Sequence, residues 1–128
     1  MSCCITIPND ELKFTLPFPV SVNSYWKRTK QGGVMRSKEA TTYIMAVAVT
    51  TAPVRRNLPA NGLTGRLAVE IYVYPPDRRR RDLDNILKNL LDSMQHAGVY
   101  KDDQQIDRLL VIRMPDIGGY VDVVIKEI

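Results

Sequence analysis

The stretch Leu67-Ala68-Val69-Glu70-Ile71-Tyr72-Val73-Tyr74, followed by Pro75-Pro76 and then by Asp82-Leu83-Asp84-Asn85-Ile86-Leu87-Lys88, decides the fold. Leu67, Val69, Ile71 and Val73 alternate with Ala68, Glu70, Tyr72 and Tyr74, the two-residue period of a strand, and the proline pair closes it. From Leu83 the period changes. Leu83, Ile86, Leu87, Leu90, Leu91, Met94 and Ala97 recur at three- and four-residue spacings, which predicts an amphipathic helix stopped by Gly98. Asn85, Lys88, Asp92 and Gln95 then share its polar face. A strand, a basic loop and a helix in direct succession are one half of a helix-on-sheet layer.

Working outward, Leu12, Phe14, Leu16 and Phe18 predict an early strand ending at Pro17 or Pro19. Ser21 to Arg36 reads as a basic, aromatic loop carrying Asn23, Tyr25, Trp26, Lys27, Arg28 and Lys30. Ser37 is placed to cap a helix with Tyr43, Ile44, Val47, Ala48 and Thr51 on its buried face, stopped by Pro53. After the turn at Lys101-Asp102-Asp103, Ile106–Met114 and Tyr120–Ile125 predict two strands joined through Asp116-Ile117-Gly118-Gly119. The order β-α-β-α-β-β predicts an α+β domain, a mixed β-sheet packed with two main helices. All 128 residues form a single domain on this reading.

The composition, 45% hydrophobic and 25% charged, is that of a globular protein and excludes wholesale disorder. No apolar run has the length of a membrane span, and no leader pattern precedes the first strand. Adjacent Cys3 and Cys4 suit neither a disulfide nor a metal-binding spacing. These features predict a cytoplasmic, membrane-free protein.

Charge is informative through its placement. The net value is +4, yet the chain up to Gly65 holds eight Lys and Arg against three acids. The remainder holds ten against eleven, with Arg78-Arg79-Arg80-Arg81 set directly beside Asp82 and Asp84. A basic surface attracts a polyanion by releasing its counterions. Acid packed next to it opposes that attraction unless a cation intervenes, and this conflict points to a metal.

Two carboxylates at a loop-to-helix junction are hard oxygen donors suited to Mg²⁺, with Lys88 one helical turn beyond Asp84. Asp103 joins them only if the following strand runs back beside the helix N-terminus, as a central strand would. Such a set can serve phosphodiester hydrolysis: a metal-activated water, an ammonium on the phosphoryl oxygens, and arginines on flanking phosphates. Each signal also has a plainer meaning. An isolated Asp-x-Asp reads first as a helix cap. Asp102-Asp103 reads as a solvated turn, and Lys88 as a surface partner of Asp84 or Asp92. The arginine run reads as a solvated segment. Tyr25 and Trp26 read as packing residues rather than base-stacking platforms, and His96 receives no catalytic role.

Taken together, Pro76 to Asn85, Lys88, Asp92, Ala97-Gly98 and Asp102-Asp103-Gln104 resemble the RusA family of Holliday-junction resolvases. The resemblance is dense from Tyr74 to Ile106 and looser over the first strand, Asn23 and the terminal hairpin. It implies a homodimeric, Mg²⁺-dependent crossover junction endodeoxyribonuclease, Mn²⁺ being a candidate substitute. Such enzymes act in DNA recombination and repair, are often phage- or prophage-encoded, and nick four-way junctions symmetrically. By motif position it places the metal-binding carboxylates on Asp82, Asp84 and Asp103 and the essential lysine on Lys88, with Asn85 and Asp102 secondary. DNA contacts are expected from Arg78, Arg79, Arg80, Arg81, Lys27 and Arg28. A two-fold dimer matches the two-fold symmetry of a four-way junction, and the apolar helix face near Leu91 is a candidate interface. The competing readings are a non-catalytic DNA-binding module, a nuclease of other branched DNA, and a metal-dependent phosphohydrolase acting on nucleotides.

Overall fold

The computed structural model describes residues 11–128; Cys3 and Cys4 lie outside the described residues. The chain forms β1 (Glu11–Pro17), β2 (Trp26–Arg28), β3 (Val34–Arg36), α1 (Lys38–Arg55), β4 (Leu67–Tyr74), α2 (Leu87–His96), β5 (Ile106–Arg113) and β6 (Tyr120–Glu127). Four strands make one mixed sheet in the order β1-β6-β4-β5. β6 is antiparallel to both β1 and β4, whereas β4 and β5 run parallel with α2 as their crossover. The α+β class expected from the sequence is the class observed.

Alternation does what the period implies. Leu12, Phe14 and Leu16 of β1, Leu67 to Val73 of β4, and Val121, Val123 and Ile125 of β6 all bury one face. Tyr43, Val47 and Val54 of α1 and Leu90 and Met94 of α2 cover it. Complete burial of a Leu or Val side chain stabilises by about 1.5–3 kcal/mol, so this single layer contact is the main source of stability. Leu87 and Leu91 are half-buried against the same core.

Ser37 caps α1 as expected, its hydroxyl accepting from the Ala40 N–H at 3.1 Å. Pro53 does not stop that helix, which continues to Arg55. Val54 is fully buried, and packing of that last turn outweighs the one backbone bond that proline removes. Gly98 ends α2 at φ +83°, a conformation that other residues adopt only with strain.

Two further differences bear on the site. The basic stretch from Ser21 to Arg36 is not a plain loop: β2 and β3 pair antiparallel as a separate two-stranded ribbon. β5 is an edge strand rather than a central one, because the parallel crossover from β4 places it on the outer side.

Candidate active site

Asp82 and Asp84 stand where the arginine loop enters the helix. Asp82 has extended backbone at the cap position of a short 3-10 turn, Leu83–Ile86, yet its side chain caps nothing. Both residues are exposed, and among the described residues neither carboxylate has a hydrogen-bond or ion-pair partner. The cap explanation therefore fails for Asp82, and two oxygen donors are left open at the loop mouth. Asn85 is half-buried beside them, its N–H bonded to the Asp82 carbonyl at 3.2 Å.

The arginine run is sorted by the fold. Asp77 accepts from the Arg79 N–H at 2.9 Å and the Arg81 guanidinium at 2.6 Å. Arg81 folds inward over Phe18, 5.6 Å from the ring centroid, and its carbonyl accepts from the Arg113 guanidinium at the end of β5. Arg78, Arg79 and Arg80 face solvent. The Arg81 hydrogen bond, then the Arg79 N–H, hold the Asp77 carboxyl well below the usual carboxylate range.

One turn along the helix, Lys88 Nζ stands 3.2 Å from Asp92 Oδ2. That carboxylate oxygen also accepts from the Tyr25 hydroxyl at 2.7 Å. The Tyr25 hydroxyl is pushed up to about 12, by burial first and by the bond to Asp92 second. Lys88 Nζ also lies 5.7 Å from the Tyr25 ring centroid and 6.0 Å from that of Trp26.

Asp103 arrives from the far side. Its N–H donates to Gln95 Oε1 at 2.9 Å, which sets it beside the C-terminal half of α2. Burial raises its pKa above the ordinary value, followed by repulsion from Asp92 and Asp102; Lys88 opposes the shift. The structure thus groups Lys88, Asp92 and Asp103. Asp82 and Asp84 precede the N-terminus of that helix, and among the described residues no three acids are close enough to share an ion. The parallel return of β5 puts Asp103 there, because the chain enters that strand from the C-terminal end of α2.

Gln105 is the residue that sequence reasoning missed. It is buried, accepts from the Lys101 and Asp102 N–H groups, and donates to the Leu63 and Gly65 carbonyls at 2.9 Å. Together with the Asp102 carboxylate, which accepts from the Gln104 N–H, it fixes the turn presenting Asp103. Buried Asn89 does similar work: it accepts from the Val20 N–H at 3.1 Å and so ties the segment after β1 to α2. Lys27 and Arg28 lie exposed on the ribbon, and His96 is exposed in the last turn of α2.

The donor chemistry fits a hard divalent cation. Asp82 and Asp84 offer unengaged oxygens, and Asp103 carries a carboxyl whose ionisation its surroundings disfavour. Mg²⁺ is commonly held by one or two carboxylates, with waters and substrate phosphates completing its shell, so a closed protein cage is not required.

A helix-backed sheet sets open carboxylates, a lysine and solvent-facing arginines along one crossover, a set of groups chemically suited to a phosphodiester. Residues 17–126 match the family model described as Endodeoxyribonuclease RusA, and the chain belongs to that family. The crossover junction endodeoxyribonuclease of Enterobacteria phage HK97 is 40% identical over 121 residues, covering 93% of this chain and 97% of that protein. Those of Shigella sonnei and Enterobacteria phage 82 are each 35% identical over 114 residues, covering 88% of this chain and 92% of theirs. Among the described residues no helix is long and apolar enough to cross a membrane.

Proposed function

We propose that this chain is a Mg²⁺-dependent crossover junction endodeoxyribonuclease that cuts four-way DNA in two symmetric strands, acting as a homodimer in the cytoplasm of a bacterial cell. The observation that carries the reading is the pair of unengaged carboxylates, Asp82 and Asp84, at the mouth of a loop whose Arg78, Arg79 and Arg80 face solvent. Those guanidiniums hold phosphates on either side of the scissile bond, each able to bind bidentately. Asp82 and Asp84 would hold the metal, with waters and substrate phosphates filling its shell, and Asp103, the third acid of the motif, would act from beside Lys88. A divalent ion held there would supply an activated water and neutralise charge on the phosphoryl oxygens. Lys88, oriented by Asp92, supports the charge that develops on the departing oxygen. Mn²⁺, with similar oxygen preference, is a candidate substitute.

The surface that best supports pairing with a second copy is β5. It is an open sheet edge, and Leu109, Leu110 and Ile112 are exposed along it. Leu91, by contrast, already packs against the core.

The test is cleavage of a synthetic four-way junction in Mg²⁺ beside a flap and a linear duplex. Paired nicks in the junction alone support the reading; equal cutting of all three makes the protein a general nuclease. Asp103→Asn is expected to keep or improve junction binding and to abolish cleavage. Wild-type cutting by that variant defeats the assignment. Lys88→Ala is expected to lose cleavage while retaining Mg²⁺ affinity in a calorimetric titration.

A further inference from the structure

The ribbon formed by β2 and β3 stands apart from the four-stranded sheet. Its register pairs Trp26 with Arg36, Lys27 with Met35 and Arg28 with Val34. Because alternate residues share a face, Trp26, Arg28, Val34 and Arg36 lie on one side, and Lys27 and Met35 on the other. All six are exposed. Trp26 is 50% exposed, Met35 54% and Val34 66%.

Single apolar residues on a surface need no explanation. Three within one six-residue ribbon do, since burial does not account for keeping them there. Their neighbours supply the chemistry. Lys27, Arg28, Lys30, Arg36 and Lys38 lie between Ser21 and Lys38, a span without one acid. An exposed aromatic ring among cations is the composition of a platform for nucleobases, the bases on the ring and the phosphates on the charges.

The platform is firmly mounted. Tyr25, at its base, is buried, and its carbonyl accepts from the Ser37 N–H at 2.7 Å. The Ser37 hydroxyl donates to the Ser24 carbonyl at 2.5 Å while capping α1. The Trp26 ring meets Tyr25 edge-on, with centroids 4.8 Å apart and planes at 79°. Lys88 Nζ lies 6.0 Å from its centroid, so the ribbon adjoins the candidate active site.

We infer that this ribbon recognises the branch point of the DNA substrate, Trp26 stacking on an unstacked nucleobase while Arg28 and Arg36 on the same face hold adjoining phosphates. The inference rests on the DNA-cleaving function proposed above and adds a basis for substrate choice. In a continuous duplex each base is covered on both sides by its neighbours, and exposing one costs a few kcal/mol. At a branch that cost is largely met in advance, so stacking on Trp26 favours junctions without reading their sequence. A base held there also brings its strand within reach of Lys88.

Trp26 is the only tryptophan in the chain, so its own emission reports the contact. The wild-type protein is titrated, in EDTA, with a four-way junction and with a linear duplex. Quenching by the junction and not by duplex at equal occupancy is expected. Trp26→Ala is expected to weaken junction binding about tenfold, within the range for loss of one stacked base, with duplex affinity unchanged. Trp26→Phe should recover most of that loss, and thermal melting establishes that both variants fold. Equal quenching by both DNAs, or equal weakening toward both in Trp26→Ala, overturns the inference. Because binding is read without metal, the two readings separate. A protein that selects junctions through Trp26 but never cuts them sinks only the nuclease proposal. One that cuts, with its selectivity unchanged in Trp26→Ala, sinks only this one.

Discussion

The Lys88 ammonium is anchored by Asp92 at 3.2 Å, and Asp92 is itself anchored through the same oxygen by the hydroxyl of buried Tyr25 at 2.7 Å. The lysine is therefore aimed by a chain of contacts that begins in the core. Asp92→Asn keeps an acceptor for Tyr25 but removes the charge that holds Lys88. Single-turnover cleavage should fall by about tenfold to a hundredfold, as small displacements of a positioned group do. Stability should change little, by about 0.2–1 kcal/mol, because the ion pair is partly exposed. Asp92→Glu should restore part of the rate. Cleavage by Asp92→Asn at the wild-type rate would remove Asp92 from the arrangement.

The four arginines should not behave alike. Arg78 and Arg80 face solvent, whereas Arg81 is bonded to Asp77 and stacked over Phe18. Arg78→Ala and Arg80→Ala are each expected to lower the slope of log K against log salt for junction binding by about 0.9, one phosphate contact. Arg81→Ala should instead lower the melting temperature, since it releases the loop from both partners. Melting curves and salt titrations of the three variants distinguish these roles.

Asp77 gives a pH dependence of defined sign. Its carboxyl is held below the ordinary value chiefly by Arg81. A carboxylate lowered in the folded state contributes stability that is complete above its unfolded pKa of about 3.9 and is lost as pH falls through the folded value. The melting-temperature gap between wild type and Asp77→Asn should be full at neutral pH and shrink below about pH 4. A gap that widens on acidification would contradict the assignment.

Gln105→Ala removes a buried amide that serves two N–H groups and two carbonyls. Its loss should cost about 2–3 kcal/mol in urea unfolding, because partners are left buried and unmade. It should also impair cleavage by loosening the turn that presents Asp103. Gln105→Glu keeps the acceptor but turns a carboxylate oxygen against the Leu63 and Gly65 carbonyls, and is expected to cost at least as much as Gln105→Ala.

Much of the fold could be read from local pattern. The two-residue period of Leu67 to Tyr74, the helical period from Leu83, the Ser37 cap and the Gly98 stop all express steric and hydrogen-bonding rules that act within a few residues. Pro53 was misleading because its local penalty is offset by burial of Val54, a contact that local pattern does not contain. The ribbon was hidden for a related reason. Its exposed residues alternate with cations on both faces, so no apolar period marks it. For the site, the motif around Asp82, Asp84 and Lys88 stood out through its spacing. Gln105 did not, because a glutamine after an acidic turn looks like any polar surface residue until its amide is seen buried.

The sequence by itself determined the order of the four main-sheet strands and the two helices, the α+β class and the family, since periodicity, caps and a dense motif are properties of neighbouring residues. Tertiary structure alone decided where the chemistry meets. It returned the chain through α2 into a parallel β5, which brings Asp103 beside Lys88 and Asp92. It turned Arg81 inward and left Arg78 to Arg80 facing solvent. It left Trp26 in solvent beside Lys88 while burying Tyr25. These outcomes depend on which surfaces the sheet and helices cover, and that is settled by packing between segments far apart in the chain.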